Sequence, residues 1–271
     1  MTTTMKDSRA SLLTDGFAVV PLQNYKALDM ARAIVNRHFD ASAASYCELQ
    51  REEFHARVED CQIELNESGV LVQFAEDHQG IFERLLCCSA LAWVSVMKLR
   101  AVRPQALMRP GSRDHVGLHR ESLYAASNQV AFQYNIWTPL SDSATASGMW
   151  YVPFSHLIPD SDLCVEVNMS NPIRVERYSS GHRIGLPYIP KEVSNSSVVL
   201  NSPLSRFNVP RGHCLIFSAM LLHGGGENVT SEMRFSMDTG IIPTEHIEHN
   251  GILFAARGNR HYSTLETLRN G

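Results

Sequence analysis

The sequence predicts an antiparallel all-β core, a sandwich or barrel, flanked by N-terminal helices. Three observations predict it. Beyond residue 93, short β-rich runs alternate with turn residues: Val94 to Val102, Val130 to Leu140, Met149 to Val152, Phe207 to Val209, Cys214 to Leu222 and Arg234 to Ile242. Many short strands at such spacing mark a sandwich or barrel. Pro139, Pro153, Pro159, Pro210 and Pro243 fall at run ends, where a missing N–H is tolerated. Before residue 93, apolar residues instead recur at helical spacing.

The elements follow in order. Thr14-Asp15-Gly16 signals a turn, and Phe17 to Leu22 reads as a short strand. Residues 26 to 40 place Leu28, Ala31, Ile34 and Val35 on one helical face. A helix is expected over 77 to 92, with Ile81, Leu85, Leu86 and Ser89 stacked, and another over 42 to 65. Residues 160 to 206 are polar, without a clear period, and too long for a simple connection; they read as an insert or lid. No repeat or linker divides the chain. A single domain over 1–271 is expected: strand and helices in 12–92, core in 93–242, and a C-terminal extension in 243–271.

Composition narrows the function. Of 271 residues, 44% are hydrophobic, which suffices for one core, and the net charge is -4. No Lys/Arg block suggests a nucleic-acid surface. The N-terminus lacks the pattern of a secretion signal and no run of about 18 apolar residues occurs, so a cytoplasmic protein without membrane partners is expected. The six cysteines, 47, 61, 87, 88, 164 and 214, contain no CxxC pair. They read as reduced thiols, not a zinc site.

The chemistry-bearing segment is Gly117-Leu118-His119-Arg120-Glu121. In a strand, residues i and i+2 share a face, so His119 and Glu121 would present an imidazole and a carboxylate side by side. Alone, His-x-Glu is better explained by an exposed edge strand. A distant element strengthens it. Phe217 to Leu222 reads as a strand ending at His223, followed by Gly224-Gly225-Gly226, read as a tight exit from the strand. Two histidines and one carboxylate on one face are the donor set of iron(II) oxygenases, which leaves metal positions open. Eleven residues after His223 comes Arg234, opening the run RFSMDTGII. A buried arginine there could grip a dicarboxylate through two parallel hydrogen bonds.

At this point a family likeness is visible. TDGFAVVPL, MRPGSRDHVGLHRE, NIWTPLSD, SGMWYVPFSH and LLHGGGENVTSEMRFS, in this order, resemble the phytanoyl-CoA dioxygenase superfamily over most of residues 12 to 242. The resemblance implies a double-stranded β-helix, or jelly roll, and an iron(II)- and 2-oxoglutarate-dependent dioxygenase. It implies that His119, Glu121 and His223 bind iron. Arg234 would pair with the far carboxylate of 2-oxoglutarate, Trp137 would pack against the cosubstrate, and Gln105, expected on the preceding strand, would contact its near end. The expected outcome is oxidation, most simply hydroxylation, of a C–H bond of a small molecule, with biosynthetic tailoring one setting. Arg120, Tyr124, Tyr134 and Trp150 are candidate substrate contacts, as are Arg174, Arg177, His182 and Arg183 in the insert. The reading leaves room for a homodimer.

The chain also departs from the family pattern. Glu121 stands where the family usually has Asp. Gly225 replaces a common hydroxyl residue two positions after the distal histidine, and Ser236 is positioned to supply that hydroxyl. Phe154 stands in place of a glycine. Other readings stay open: a non-catalytic jelly roll that binds a ligand or senses metal, or a cupin-like metalloenzyme without 2-oxoglutarate. A helical zinc pair from His115 and His119 is disfavoured by Gly111 and Gly117. A hydrolase from Ser155-His156 lacks a nucleophile elbow.

Overall fold

Alternating side chains along the long strands sort the protein into two apolar layers. The computed structural model describes residues 5–109, 114–115, 117–123, 130–141, 147–167, 173–174, 187–188, 191–193, 202–249 and 262–270. Its N-terminal part comprises helix α1 (Met5–Thr14), strand β1 (Phe17–Pro21), and helices α2 (Lys26–His38), α3 (Ala43–Glu48), α4 (Arg51–Glu67) and α5 (Val70–Leu86). Strands β2 (Leu91–Val94), β3 (Lys98–Val102), β4 (Tyr134–Pro139) and β5 (Trp150–Tyr151) follow. Four short strands come next: β6 (Val165–Val167), β7 (Ile173–Arg174), β8 (Pro187–Tyr188) and β9 (Lys191–Val193). The last are β10 (Ser205–Arg206), β11 (His213–Ser218), β12 (His223–Gly224), β13 (Arg234–Pro243) and β14 (Tyr262–Thr264).

The large sheet runs β1-β11-β4-β13-β2-β14, with β3 also paired to β13. Its pairs are antiparallel, with Ala18 opposite Ile216 and Ile216 opposite Ile136. Ala18, Val20, Ile136, Cys214, Ile216 and Met237 face one way, into a core shared with Leu28, Ile34, Phe54, Phe74 and Phe82 of the helices. Trp137, Leu215 and Phe217 face the other way, with Phe17 and Val19, against Phe207, Val209 and Tyr151. The second sheet, β10-β5-β12, closes that side. This is the jelly-roll layering expected, and burying each large apolar side chain contributes roughly 1.5–3 kcal/mol.

Several expectations are corrected. The helix expected over 77–92 is α5, which starts at Val70 and stops when Cys87 turns left-handed at φ 54°. Residues 91–94 are then a fully buried strand around Trp93; a continuous apolar run does not distinguish strand from helix. The stretch 42–65 is two helices. Ser42 caps the first, and Gln50 with Glu53 forms a capping box on the second. The run 94–102 is split into β2 and β3. Phe207 and Val209 are buried in the inner core, but the strand beside them is Ser205–Arg206. The C-terminal segment is no appendage: β14 pairs with β2 and forms an edge of the large sheet. Within the expected insert, β6 pairs with β9 and β7 with β8. Most of 160–206 lies outside the described residues, as do Tyr124 and the side chains of Arg174, Arg177, His182 and Arg183.

Among the described residues, no helix is long and apolar enough to cross a membrane.

Candidate metal and cosubstrate site

The two sheets bring distant chain segments together at His119 and His223. The pair forms an antiparallel bridge, with His119 N donating to His223 O at 2.8 Å and His223 N donating to His119 O at 2.9 Å. The ring centroids are 4.5 Å apart. Each Nδ1 lies 2.8 Å from a carbonyl oxygen two residues back, Gly117 O for His119 and Leu221 O for His223. A carbonyl can only accept, so Nδ1 carries the proton and Nε2 keeps its lone pair for a metal. Burial, reinforced by His119, holds His223 well below the usual imidazole range. It is therefore neutral, as a ligand must be. The Phe217 ring packs edge-on to His223 at 4.7 Å.

The Gly224-Gly225-Gly226 run makes this approach feasible. A Cβ on Gly224 would lie 2.9 Å from the Gly117 carbonyl group. One on Gly225 would meet His115 Cβ at 2.4 Å, and one on Gly226 would meet Gly148 O at 2.3 Å. None of the three has a positive φ. Their role is close backbone packing, not the tight exit anticipated from sequence.

Glu121 joins the histidines by a different route from strand alternation. It opens a 3-10 turn, Glu121–Leu123, anchored by Glu121 N donating to Ala219 O at 3.0 Å. Its Oε1 accepts from Asn135 Nδ2 at 3.1 Å. The donor atoms of His119, Glu121 and His223 all lie within 4.8 Å of one another. Among the described residues this is the cluster of His, Cys, Asp or Glu side chains that could hold a metal ion. Two imidazoles and one carboxylate suit iron(II) with open positions.

Arg234 and Ser236 share one face of β13, two residues apart, and both are buried, at 3% and 1% exposure. Arg234 Nη1 donates to Gly226 O at 3.1 Å, which ties the guanidinium to the segment following His223. Arg234 Nε and Ser236 Oγ are buried without a hydrogen-bond partner. Burial first, and then Arg206, bring the Arg234 pKa down to about 10, so it remains charged near neutrality. Leaving such groups unpaired costs about 1–3 kcal/mol each. A carboxylate ligand satisfies both, so the residues fit 2-oxoglutarate as they fit the metal. Ser236 places a buried hydroxyl two residues from Arg234, on the same strand face.

The remaining candidates divide. Trp137 is buried on the inner face of β4 beside Leu215 and Phe217. Trp150 is half-buried, opposite Gly224 in register, with the Arg206 guanidinium 4.1 Å above its ring. Three expectations are corrected. Arg120 is fully buried and donates to Ser155 O, Ile158 O and Asp160 Oδ1, so it is a structural tie rather than a substrate contact. Tyr134 packs against the helix-side core, the face opposite Asn135 and Trp137. Gln105 sits in a 3-10 turn after β3, not on a strand, and its N–H donates to Asn228 O. Sequence reasoning missed Asn135; its signal was its place two residues before Trp137, on the same strand face.

The phytanoyl-CoA dioxygenase family model matches residues 14–236. Among proteins of curated function, none is detectably similar in sequence. Several solved structures share the fold. The non-heme alpha-ketoglutarate-dependent carbocyclase SnoK from nogalamycin biosynthesis is 13% identical, with TM-score 0.55, over 96% of this chain and 94% of that one. AviO1 from Streptomyces viridochromogenes Tue57 is 15% identical, with TM-score 0.51, over 89% and 96%. The epimerase SnoN, in complex with Fe3+, alpha ketoglutarate and nogalamycin RO, is 16% identical, with TM-score 0.50, over 88% and 83%. The chain belongs to the phytanoyl-CoA dioxygenase family and is a non-haem iron- and 2-oxoglutarate-dependent enzyme.

Proposed function

We propose that this enzyme hydroxylates a C–H bond of a small-molecule substrate, with His119, Glu121 and His223 as the iron ligands. The observation that carries the reading is the pairing of this triad with the buried, unsatisfied Arg234 Nε and Ser236 Oγ. Bound iron(II), 2-oxoglutarate and O₂ together supply an oxidant able to break an unactivated C–H bond, with succinate and CO₂ released. The protein's part is positioning. The two imidazoles and the carboxylate would hold the metal, with room left for the cosubstrate. Arg234 and Ser236 hold the distal carboxylate of the cosubstrate. Trp137, among Leu215 and Phe217, keeps water from the inner side. Trp150 and Arg206 are candidate contacts for a substrate with a polar or anionic group.

Glu121 favours oxygen transfer over halogenation, which needs the carboxylate's coordination position vacant for halide. The fold itself does not select hydroxylation, since a carbocyclase and an epimerase share it. The test is succinate release across a panel of small metabolites, followed by turnover under ¹⁸O₂. One labelled oxygen in the product supports hydroxylation. A cyclised or epimerised product without label would overturn that part of the reading and leave the oxidative one standing.

A further inference from the structure

Glu121 is the end of a buried file of side chains that begins on the C-terminal strand. Tyr262 Oη donates to Gln133 Oε1. Gln133 Nε2 donates to Asn135 Oδ1 at 2.6 Å, and Asn135 Nδ2 donates to Glu121 Oε1 at 3.1 Å. Gln133 is 0% exposed, Tyr262 3% and Asn135 8%.

The polarity of the file follows from its chemistry. A Gln oxygen cannot donate, so the phenol supplies the proton. Once the Gln133 oxygen is taken, its NH₂ must face Asn135. Once the Asn135 oxygen is taken, its NH₂ must face Glu121. Reversed amides would set the Asn135 carbonyl against a carboxylate, which is repulsive unless Glu121 is protonated. Bonds in such a chain polarise one another, and burial strengthens them.

The backbone supports the same path. Ala219 N donates to Gln133 O, and Glu121 N donates to Ala219 O. Gly240, opposite Asn135 in register, makes room: a Cβ there would lie 3.0 Å from Gln133 Nε2 and 3.0 Å from Val94 Cγ2.

We infer that Tyr262, Gln133 and Asn135 are positioning residues that fix the rotation of the Glu121 carboxylate for the metal. This rests on Glu121 being the carboxylate ligand. Glu carries one more rotatable bond than the Asp usual in the family, so its carboxylate gains more from an external hold. Tyr262 lies beyond residue 236, where the family match ends. The inference therefore makes β14, in the C-terminal segment, a supporting part of the metal site.

The test is titration of the full chain with Co(II), followed by its visible d–d spectrum, with the apo melting temperature measured alongside. Tyr262→Phe and Asn135→Leu should each weaken Co(II) binding by about 10-fold or more, the usual range for ligand-supporting partners, and alter the spectrum. Asn135→Leu placed in a Glu121→Ala background should cause no further loss. If Tyr262→Phe melts too low to titrate, Asn135→Leu, which keeps volume and removes the donor, decides alone. Wild-type affinity and spectrum in Asn135→Leu, with binding lost in Glu121→Ala, would overturn the relay and leave the ligand assignment intact. Wild-type binding in Glu121→Ala would instead overturn the ligand assignment itself.

Discussion

His119 and His223 exchange both backbone hydrogen bonds, at 2.8 and 2.9 Å, so the two imidazoles are registered by main chain rather than by side-chain packing. The missing side chain at Gly224 permits this, because a Cβ there would press on the Gly117 carbonyl. Backbone cannot yield as a flexible side chain does. Gly224→Ala should therefore cost about 1–3 kcal/mol of stability and weaken divalent-metal binding. Chemical denaturation and Co(II) titration of the same variant check both; wild-type values in both would remove this role for the glycine.

Arg234 is held in place at the expense of its own burial. Its Nε and the neighbouring Ser236 Oγ lack partners, so the apo protein carries the cost of an unsatisfied charged group. Arg234→Met should leave the apo melting temperature unchanged or raise it. The same change should weaken 2-oxoglutarate binding by ~100-fold or more, about 3 kcal/mol for two charge-assisted hydrogen bonds. Anaerobic calorimetry in the presence of iron(II) measures the second effect and a thermal melt the first.

Arg120 should behave in the opposite way. Its guanidinium donates to two carbonyls and to Asp160, and it is fully buried. Arg120→Met strands those carbonyls and should cost roughly 2–4 kcal/mol. Because the fully buried Arg120 guanidinium is engaged by the protein's own groups, KM for the substrate should not move in the protein that remains folded. A raised KM with an unchanged melting temperature would restore it as a binding residue.

Stability should fall in mild acid. Burial holds His78 and His156 below the usual imidazole range, with Asp77 opposing it at His78, and Leu13 O and Asp15 at His156. A depressed folded pKa means that the unfolded chain takes up protons first. Stability is then full above the unfolded value of about 6.5 and declines as pH falls below it. Urea midpoints at about pH 7.5 and about pH 5.5 report the loss, and His78→Leu should reduce it.

Phe154 occupies a left-handed conformation, φ 60°, and is exposed. That geometry costs a side-chain-bearing residue roughly 1–2 kcal/mol, which explains why a glycine suits the position. Phe154→Gly should raise the melting temperature slightly; a decrease would show that the exposed ring makes a contact worth more than the strain.

The all-β core could be read from the short β-rich runs around Ile136, Ile216 and Met237, because turn residues bound each of them. His223, Arg234 and Ser236 could be read because they sit on or at the end of such runs. Glu121 was found for a reason the structure replaces: it reaches the histidines from a 3-10 turn bonded to Ala219, a long-range contact with no local signature. Arg120, Tyr134 and Gln105 were misplaced for the same reason. Their neighbours, Ser155, the helix-side core and Asn228, come from sequence-distant elements. Tyr262 could not be connected to Glu121 at all from sequence, since two intervening amides carry the link.

The central claim is that one pocket holds iron(II) and 2-oxoglutarate together through His119, Glu121, His223 and Arg234. Anaerobic addition of iron(II) and 2-oxoglutarate, read by visible absorption, tests it most directly. The account predicts a metal-to-ligand charge-transfer band at one iron per chain, absent in His223→Ala and absent or greatly weakened in Arg234→Met. A band of wild-type strength in both variants would contradict it.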